Sequence, residues 1–194
     1  ISSSNILKDL NIKSYKYFLV SIHREENVDQ YENLVEIVNT LNTILDTYKM
    51  PVIVSTHPRT KKMLEKMRLN MSIKKGISFM KPFGFLDYIK LQENSYCVLS
   101  DSGSITEESS ILNFPALNLR EAHERPEGME EGAVMFVGMK GSVVINAIEI
   151  LQSQKRGANR TLKCVTDYTT TNVSDKIIRI ITSYIDYINK VVWR

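Results

Sequence analysis

Little in this sequence marks a specialised class of chain. Two Cys allow one disulfide at most, and 5 Pro and 8 Gly among 194 residues exclude a disulfide scaffold, a collagenous repeat and a low-complexity chain. No stretch approaches the roughly 20 apolar residues of a membrane-spanning helix, and no positively charged segment leading into an apolar run opens the chain. An excess of one charge is lacking too. The 25 Lys and Arg stand against 22 Asp and Glu, a formal +3, too near balance to favour nucleic acid or an anionic membrane as partner. Cys, His and carboxylates do not occur at metal-ligand spacings, and there is no Gly-x-Ser-x-Gly elbow and no complete Walker or GxGxxG loop. A cytoplasmic protein with no metal and no cofactor is the simplest expectation. The first residue is Ile1 rather than Met, which fits a piece of something longer.

What is present is an ordinary globular composition, 43% hydrophobic and 24% charged, at a length suited to one domain with or without an appendage. Apolar, β-branched runs at residues 17–22, 51–56, 77–80, 96–100, 115–119 and 133–137 read as strands. Segments with helical apolar spacing at 31–48, 60–70, 85–93, 105–113, 143–152 and 173–192 alternate with them. Strands apolar throughout, alternating with amphipathic helices, imply a parallel sheet covered on both faces, an α/β doubly wound, Rossmann-like domain. Cys97 falls inside such a run and Cys164 has no partner at ligand spacing, so both read as structural.

In open α/β sheets ligands bind beyond the carboxyl ends of the strands, and the unusual residues of this chain follow its strands. His23, His57 and His123 all fall there. Asp101-Ser102-Gly103-Ser104, ahead of a helix, has the chemistry of an anion cradle, with small residues and free amides at a helix start. An ordinary capped helix fits equally well, with Ser104 as N-cap and Glu107 completing a capping box. Glu107 and Glu108 are adjacent and face different ways, so one is free to meet a ligand hydroxyl. The loop 120–131 places Arg125 beside Pro126 and Gly128, either as part of a solvated ion-paired loop or as a guanidinium held near a phosphate.

Three motifs, Ser21-Ile22-His23-Arg24-Glu25-Glu26-Asn27, Asp101-Ser102-Gly103-Ser104-Ile105-Thr106-Glu107-Glu108 and Glu124-Arg125-Pro126-Glu127-Gly128, together resemble the carboxyl-terminal half of the non-hydrolysing UDP-N-acetylglucosamine 2-epimerases, over about residues 17–140. The resemblance implies one of two Rossmann-like domains in a glycosyltransferase B arrangement, with UDP-sugar in the cleft between them. It gives His23 and Arg125 catalytic roles at the diphosphate. Ser102, Gly103 and Ser104 would cradle the phosphates, Glu108 would hold the ribose, and the main chain near Phe83 and Phe85 would read the uracil. Arg24, Glu26 and His57 would match a second, regulatory UDP-sugar site.

Glu25, Ser104 and the pair Ala122-His123 depart from the usual family motifs and look more like the branch that makes UDP-N-acetyl-L-fucosamine for capsule or O-antigen polysaccharide. The resemblance further implies a homodimeric complete enzyme whose catalytic carboxylates lie mainly in an amino-terminal domain outside this chain. On that basis residues 1–16 are an entry segment or linker and 17–154 the Rossmann-like UDP-binding domain. Residues 155–194 are a connection and a helix that packs back on the other domain. The donor half of a glycosyltransferase and a non-catalytic nucleotide-sugar-binding module are the alternatives.

Overall fold

The computed structural model describes residues 1–120 and 124–193. Six short strands, β1 (Phe18–Ser21), β2 (Val52–Ser55), β3 (Ile77–Met80), β4 (Cys97–Ser100), β5 (Ala116–Asn118) and β6 (Met135–Phe136), form one sheet in the order β3-β2-β1-β4-β5-β6. All pairings are parallel. The helices are α1 (Ile6–Asp9), α2 (Glu25–Val28), α3 (Tyr31–Tyr48), α4 (Pro58–Lys66), α5 (Phe85–Asn94), α6 (Ile105–Leu112), α7 (Pro126–Glu130), α8 (Gly141–Leu151) and α9 (Val173–Val191).

The apolar strands are explained by a core on each face of the sheet. Phe18 and Val20 of β1 join Cys97 and Leu99 of β4 in one cluster, closed by α3 and α8. The intervening Leu19 and Val98 point the other way, into a second cluster. Helix α3 follows its apolar spacing, burying Leu34, Ile37, Val38, Leu41 and Ile44, and it stops where Lys49 turns left-handed at φ 53°. Both cysteines are free thiols, and burial pushes the Cys97 thiol up to about 12. No helix among the described residues is long and apolar enough to cross a membrane.

Four expectations are amended. Helix α4 begins at Pro58, two residues before the expected start, because the His57 ring caps it and proline suits the first helical position. It ends at Lys66, where Arg68 turns left-handed into a 3₁₀ turn, Leu69–Ser72. Residues 25–28 and 126–130, both read as loop, each form a short helix. In the entry segment, residues 1–16, Ile6, Leu7, Leu10 and Ile12 pack on the second cluster.

The polar stretch after α8 is tied down by its arginines. Arg156 donates to the carbonyls of Ser95 and Tyr96, and Arg160 donates to those of Ser110 and Ile111. Helix α9, by contrast, buries none of its residues.

Helix α7 meets α6 very closely. A Cβ placed on Gly128 would lie 2.2 Å from Thr106 Cγ2 and 3.2 Å from the Tyr168 hydroxyl. Gly128→Ala is therefore expected to lower stability by about 1–3 kcal/mol, the usual cost of overpacking. A urea-denaturation midpoint equal to that of the wild type would show that this contact is not tight.

Candidate functional site

The chain leaves β1 toward β2 on one side and β4 toward β5 on the other, so the crevice beyond their carboxyl ends is the topological switch point. Their register sets Ser21 beside Ser100. The next residue of β4's chain, Asp101, is fully buried. Its carboxylate accepts from the His23 N–H at 3.0 Å, the Arg24 N–H at 2.9 Å and Asn27 Nδ2 at 3.0 Å. Three donors compensate its desolvation, and they fold residues 23–27 into the turn that opens α2. The His23 ring lies on the same carboxylate, Nδ1 to Oδ1 3.3 Å, with its side chain 44% exposed toward the crevice.

His57 stands beside it, ring centroids 6.4 Å apart. Its Nδ1 accepts the Arg59 N–H at 3.2 Å, which leaves Nε2 to carry the proton of the neutral ring. Arg59 in turn pairs with Asp29 and Glu25, so the unusual glutamate of the first motif has a local partner. His123, the third histidine, lies outside the described residues.

Residues 102–104 lead from β4 into α6. The Ser102 N–H donates to Ser100 Oγ, and the Ser102 and Ser104 hydroxyls meet at 3.0 Å. Among the described residues the backbone N–H groups of Gly103, Ser104 and Ile105 have no acceptor, which is what an anion cradle requires. The capping box does not form. Ser104 holds the N-cap position without a side-chain cap bond, because its hydroxyl donates to Glu108 Oε1 at 2.9 Å instead. Glu107 is drawn away by Arg125, whose Nε donates to Oε1 at 2.7 Å. Glu108 also accepts from Gln92 of α5. Tyr88, one turn earlier on α5, is pushed up to about 12 by burial, against a hydrogen bond with Ser21, and the Glu108 charge adds to the rise.

A Cβ on Gly103 would lie 3.3 Å from Glu124 Oε2 and 3.5 Å from Arg125 Nη2. The absence of a side chain there lets the α7 loop close over the start of α6. Glu124 is gripped by Arg120 and Arg24, and their hydrogen bonds, Arg120's first, hold its carboxyl near 2. A depressed acid contributes stability above its ordinary pKa and loses it as pH falls through the folded value. The Glu124 contribution is therefore complete at neutral pH and lost as the pH approaches about 2.

Phe85, 74% exposed at the start of α5, shares with Glu107 and Glu108 a cavity of about 230 Å³ whose other walls are Ile1, Ile89, Ile111 and Leu112. Phe83 lies deeper, packed on the second core cluster. A cavity of about 300 Å³ at the opposite end of the sheet, near Tyr15, Tyr96 and Arg156, includes none of the predicted residues.

The structure therefore brings His23, Ser102, Gly103, Ser104, Arg125, Glu108 and Phe85 along one edge. Arg24 and Glu26 converge there on the Arg120–Glu124 pair, and His57 flanks His23. Sequence reasoning put Asp101 in the cradle, Glu124 in a motif and Arg120 in the loop after β5 without giving any of them a partner, and it missed Gln92 and Tyr88. For Asp101 a signal existed, because an ionisable residue directly behind an apolar strand must be buried and paired. Chemically, three guanidinium groups and a set of free amides on one edge are suited to a multiply charged anion, beside an apolar cavity bordered by two carboxylates.

The family model described as UDP-N-acetylglucosamine 2-epimerase matches residues 1–182. A UDP-N-acetylglucosamine 2-epimerase of Methanocaldococcus jannaschii is 42% identical over 142 residues, 72% of this chain and 39% of that protein. Among solved structures, a UDP-N-acetylglucosamine 2-epimerase from Rickettsia bellii superposes with a TM-score of 0.84 at 45% identity, over 99% of this chain and 51% of that one. The M. jannaschii enzyme in complex with UDP-GlcNAc and UDP superposes with a TM-score of 0.80 at 36% identity, over 93% of this chain and 49% of that one. The chain thus spans about half the length of these relatives or less.

Proposed function

Since the chain belongs to the UDP-N-acetylglucosamine 2-epimerase family, we propose that it is the UDP-binding half of an enzyme that inverts C-2 of a UDP-linked N-acetylhexosamine. The observation that carries this reading is the meeting, at one switch point, of His23 after β1, the cradle after β4 and Arg125 at the start of α7. In the proposed reaction the proton leaves C-2 and the C-1–oxygen bond breaks toward the diphosphate, giving a glycal and UDP. Re-addition of UDP at C-1 with protonation of C-2 from the other face gives the epimer. Negative charge grows on the leaving diphosphate, and fixed donors and cations placed beforehand lower the barrier. His23, Arg125 and the amides after Gly103 are those donors, and the base for C-2 belongs to the other half.

Helix α9 supports that division. Its Ile177, Ile181, Ile185 and Ile188 recur at helical spacing, the first three about half exposed and none fully buried, as fits a surface that docks on the other domain. Within the sugar class, the motif departures at Glu25 and Ser104 favour a 6-deoxy-L-hexosamine, giving UDP-N-acetyl-L-fucosamine for surface polysaccharide. The names of the relatives reported above speak for N-acetylglucosamine. Comparing turnover of the two UDP-sugars by a complete enzyme carrying this half separates these substrates.

Calorimetry on this chain tests the binding assignment directly. The wild type is expected to bind UDP, and Glu108→Ala to weaken UDP and uridine by about 1.5–3 kcal/mol, the range for hydrogen bonds to a charged group, while leaving pyrophosphate unaffected. Glu107→Ala should act through Arg125 and so weaken pyrophosphate. The reverse pattern would exchange the roles of the two glutamates.

A further inference from the structure

Arg120 poses a question that the assignment of His23, the cradle and Arg125 leaves open. Its side chain is 4% exposed, and its Nε has no hydrogen-bond partner among the described residues, with the nearest carboxylate oxygen, on Glu26, 3.6 Å away. A guanidinium cannot shed its charge, so a buried one requires an anion. Asp101 and Glu26 act on it at longer range, and the anion that accepts its hydrogen bonds lies outside the core. It is Glu124, 41% exposed on the loop that leads into α7. Arg120 donates to both of its oxygens at 2.8 Å, and Arg24 forms a second fork at 3.2 and 2.9 Å. The same carboxylate lies against Gly103, at the head of the free amides of α6.

We propose that Glu124 occupies the seat of a substrate phosphate, and that a diphosphate binds by displacing it, with Arg24 and Arg120 passing from the carboxylate to the phosphate oxygens. The proposal rests on the UDP-binding reading above and adds two cations and an exchange step to it. The physical reason for exchange is repulsion. A phosphate seated on the amides of residues 103–105 would be in contact with Glu124, and two anions at that range exclude each other unless one moves. The forks suit either occupant, since a guanidinium grips carboxylate and phosphate in the same bidentate way. A diphosphate carries more charge than the carboxylate it replaces. The environment already favours negative charge strongly, as the low titration of Glu124 shows. In the free chain Glu124 keeps the buried charge of Arg120 neutralised, and the cost of opening that contact is subtracted from ligand affinity.

The test is calorimetry with UDP, inorganic pyrophosphate and uridine on the wild type, Glu124→Gln and Glu124→Asp, with thermal melts of each. Glu124→Gln keeps the shape and removes the charge. It should melt lower than the wild type when free, bind pyrophosphate and UDP about fivefold more tightly, the scale of one partly exposed ion pair, and bind uridine unchanged. Saturating pyrophosphate should erase the difference in melting temperature. Glu124→Asp, with its carboxylate drawn back, should show a smaller tightening of the same sign, which keeps the test decisive if the glutamine variant does not fold. Unchanged or weaker pyrophosphate binding by both variants would make Glu124 a fixed bracket for the arginines and overturn the exchange alone. A wild type that binds neither UDP nor pyrophosphate would overturn the UDP-binding reading, and the exchange with it.

Discussion

Asp101→Ala is expected to be less stable than the wild type by about 3–5 kcal/mol, the scale for removing one member of a buried charged network. The carboxylate is fully buried and accepts from two backbone N–H groups and from the Asn27 amide. Alanine leaves these donors facing an apolar gap, and each unsatisfied group costs about 1–3 kcal/mol. Since a domain of this kind is stable by only about 5–15 kcal/mol in all, the loss is a large share of the total. UDP binding should fall with it, because the turn bearing His23 and Arg24 has no comparable anchor. Asp101→Asn keeps the volume and one acceptor oxygen, so it should recover part of the loss. Urea denaturation with an unchanged slope measures the difference cleanly, and a loss below about 1 kcal/mol would mean that residues 23–27 hold their shape without the carboxylate.

In a complete enzyme carrying this half, His23→Ala and Arg125→Ala are each expected to lower kcat by about 10²–10³, the scale of one lost donor to a developing anion. KM should rise much less. In the proposed elimination charge builds up on the diphosphate oxygen, so a donor there would be worth more in the transition state than with bound substrate. Arg125 stands at the start of α7, where its Nε holds Glu107. Lysine keeps the charge but loses the planar fork, so Arg125→Lys should restore only part of the rate. Steady-state kinetics decide the matter. If both alanine variants raise KM and leave kcat unchanged, the two residues bind ground-state UDP-sugar and do no more.

The architecture was legible because burial imposes local periodicity. Residues 17–22 and 96–100 read as strands apolar on both faces, and they are the paired central strands β1 and β4. The heptad-like apolar spacing of residues 31–48 is helix α3 to the residue. The position of the site was legible for a related reason, since in a parallel sheet every loop after a strand reaches the same edge. Short helices were not. Four residues at 25–28 and five at 126–130 carry too few turns for a periodic signal, and the first forms because Asp101, more than 70 positions away, collects its amide groups.

Chain order and side-chain chemistry were enough to establish the doubly wound sheet, the crevice beyond β1 and β4, and the types of group gathered there. They did not establish who pairs with whom. The capping-box pattern pairs Glu107 with Ser104, and only the approach of α7 gives Glu107 to Arg125 instead, while Ser104 and Gln92 of α5 take Glu108. Glu124 had no reason, read along the chain, to meet residues 24 and 120 together. Such pairings depend on strand register and on how closely Gly103 and Gly128 let two loops approach, distances that no local pattern encodes.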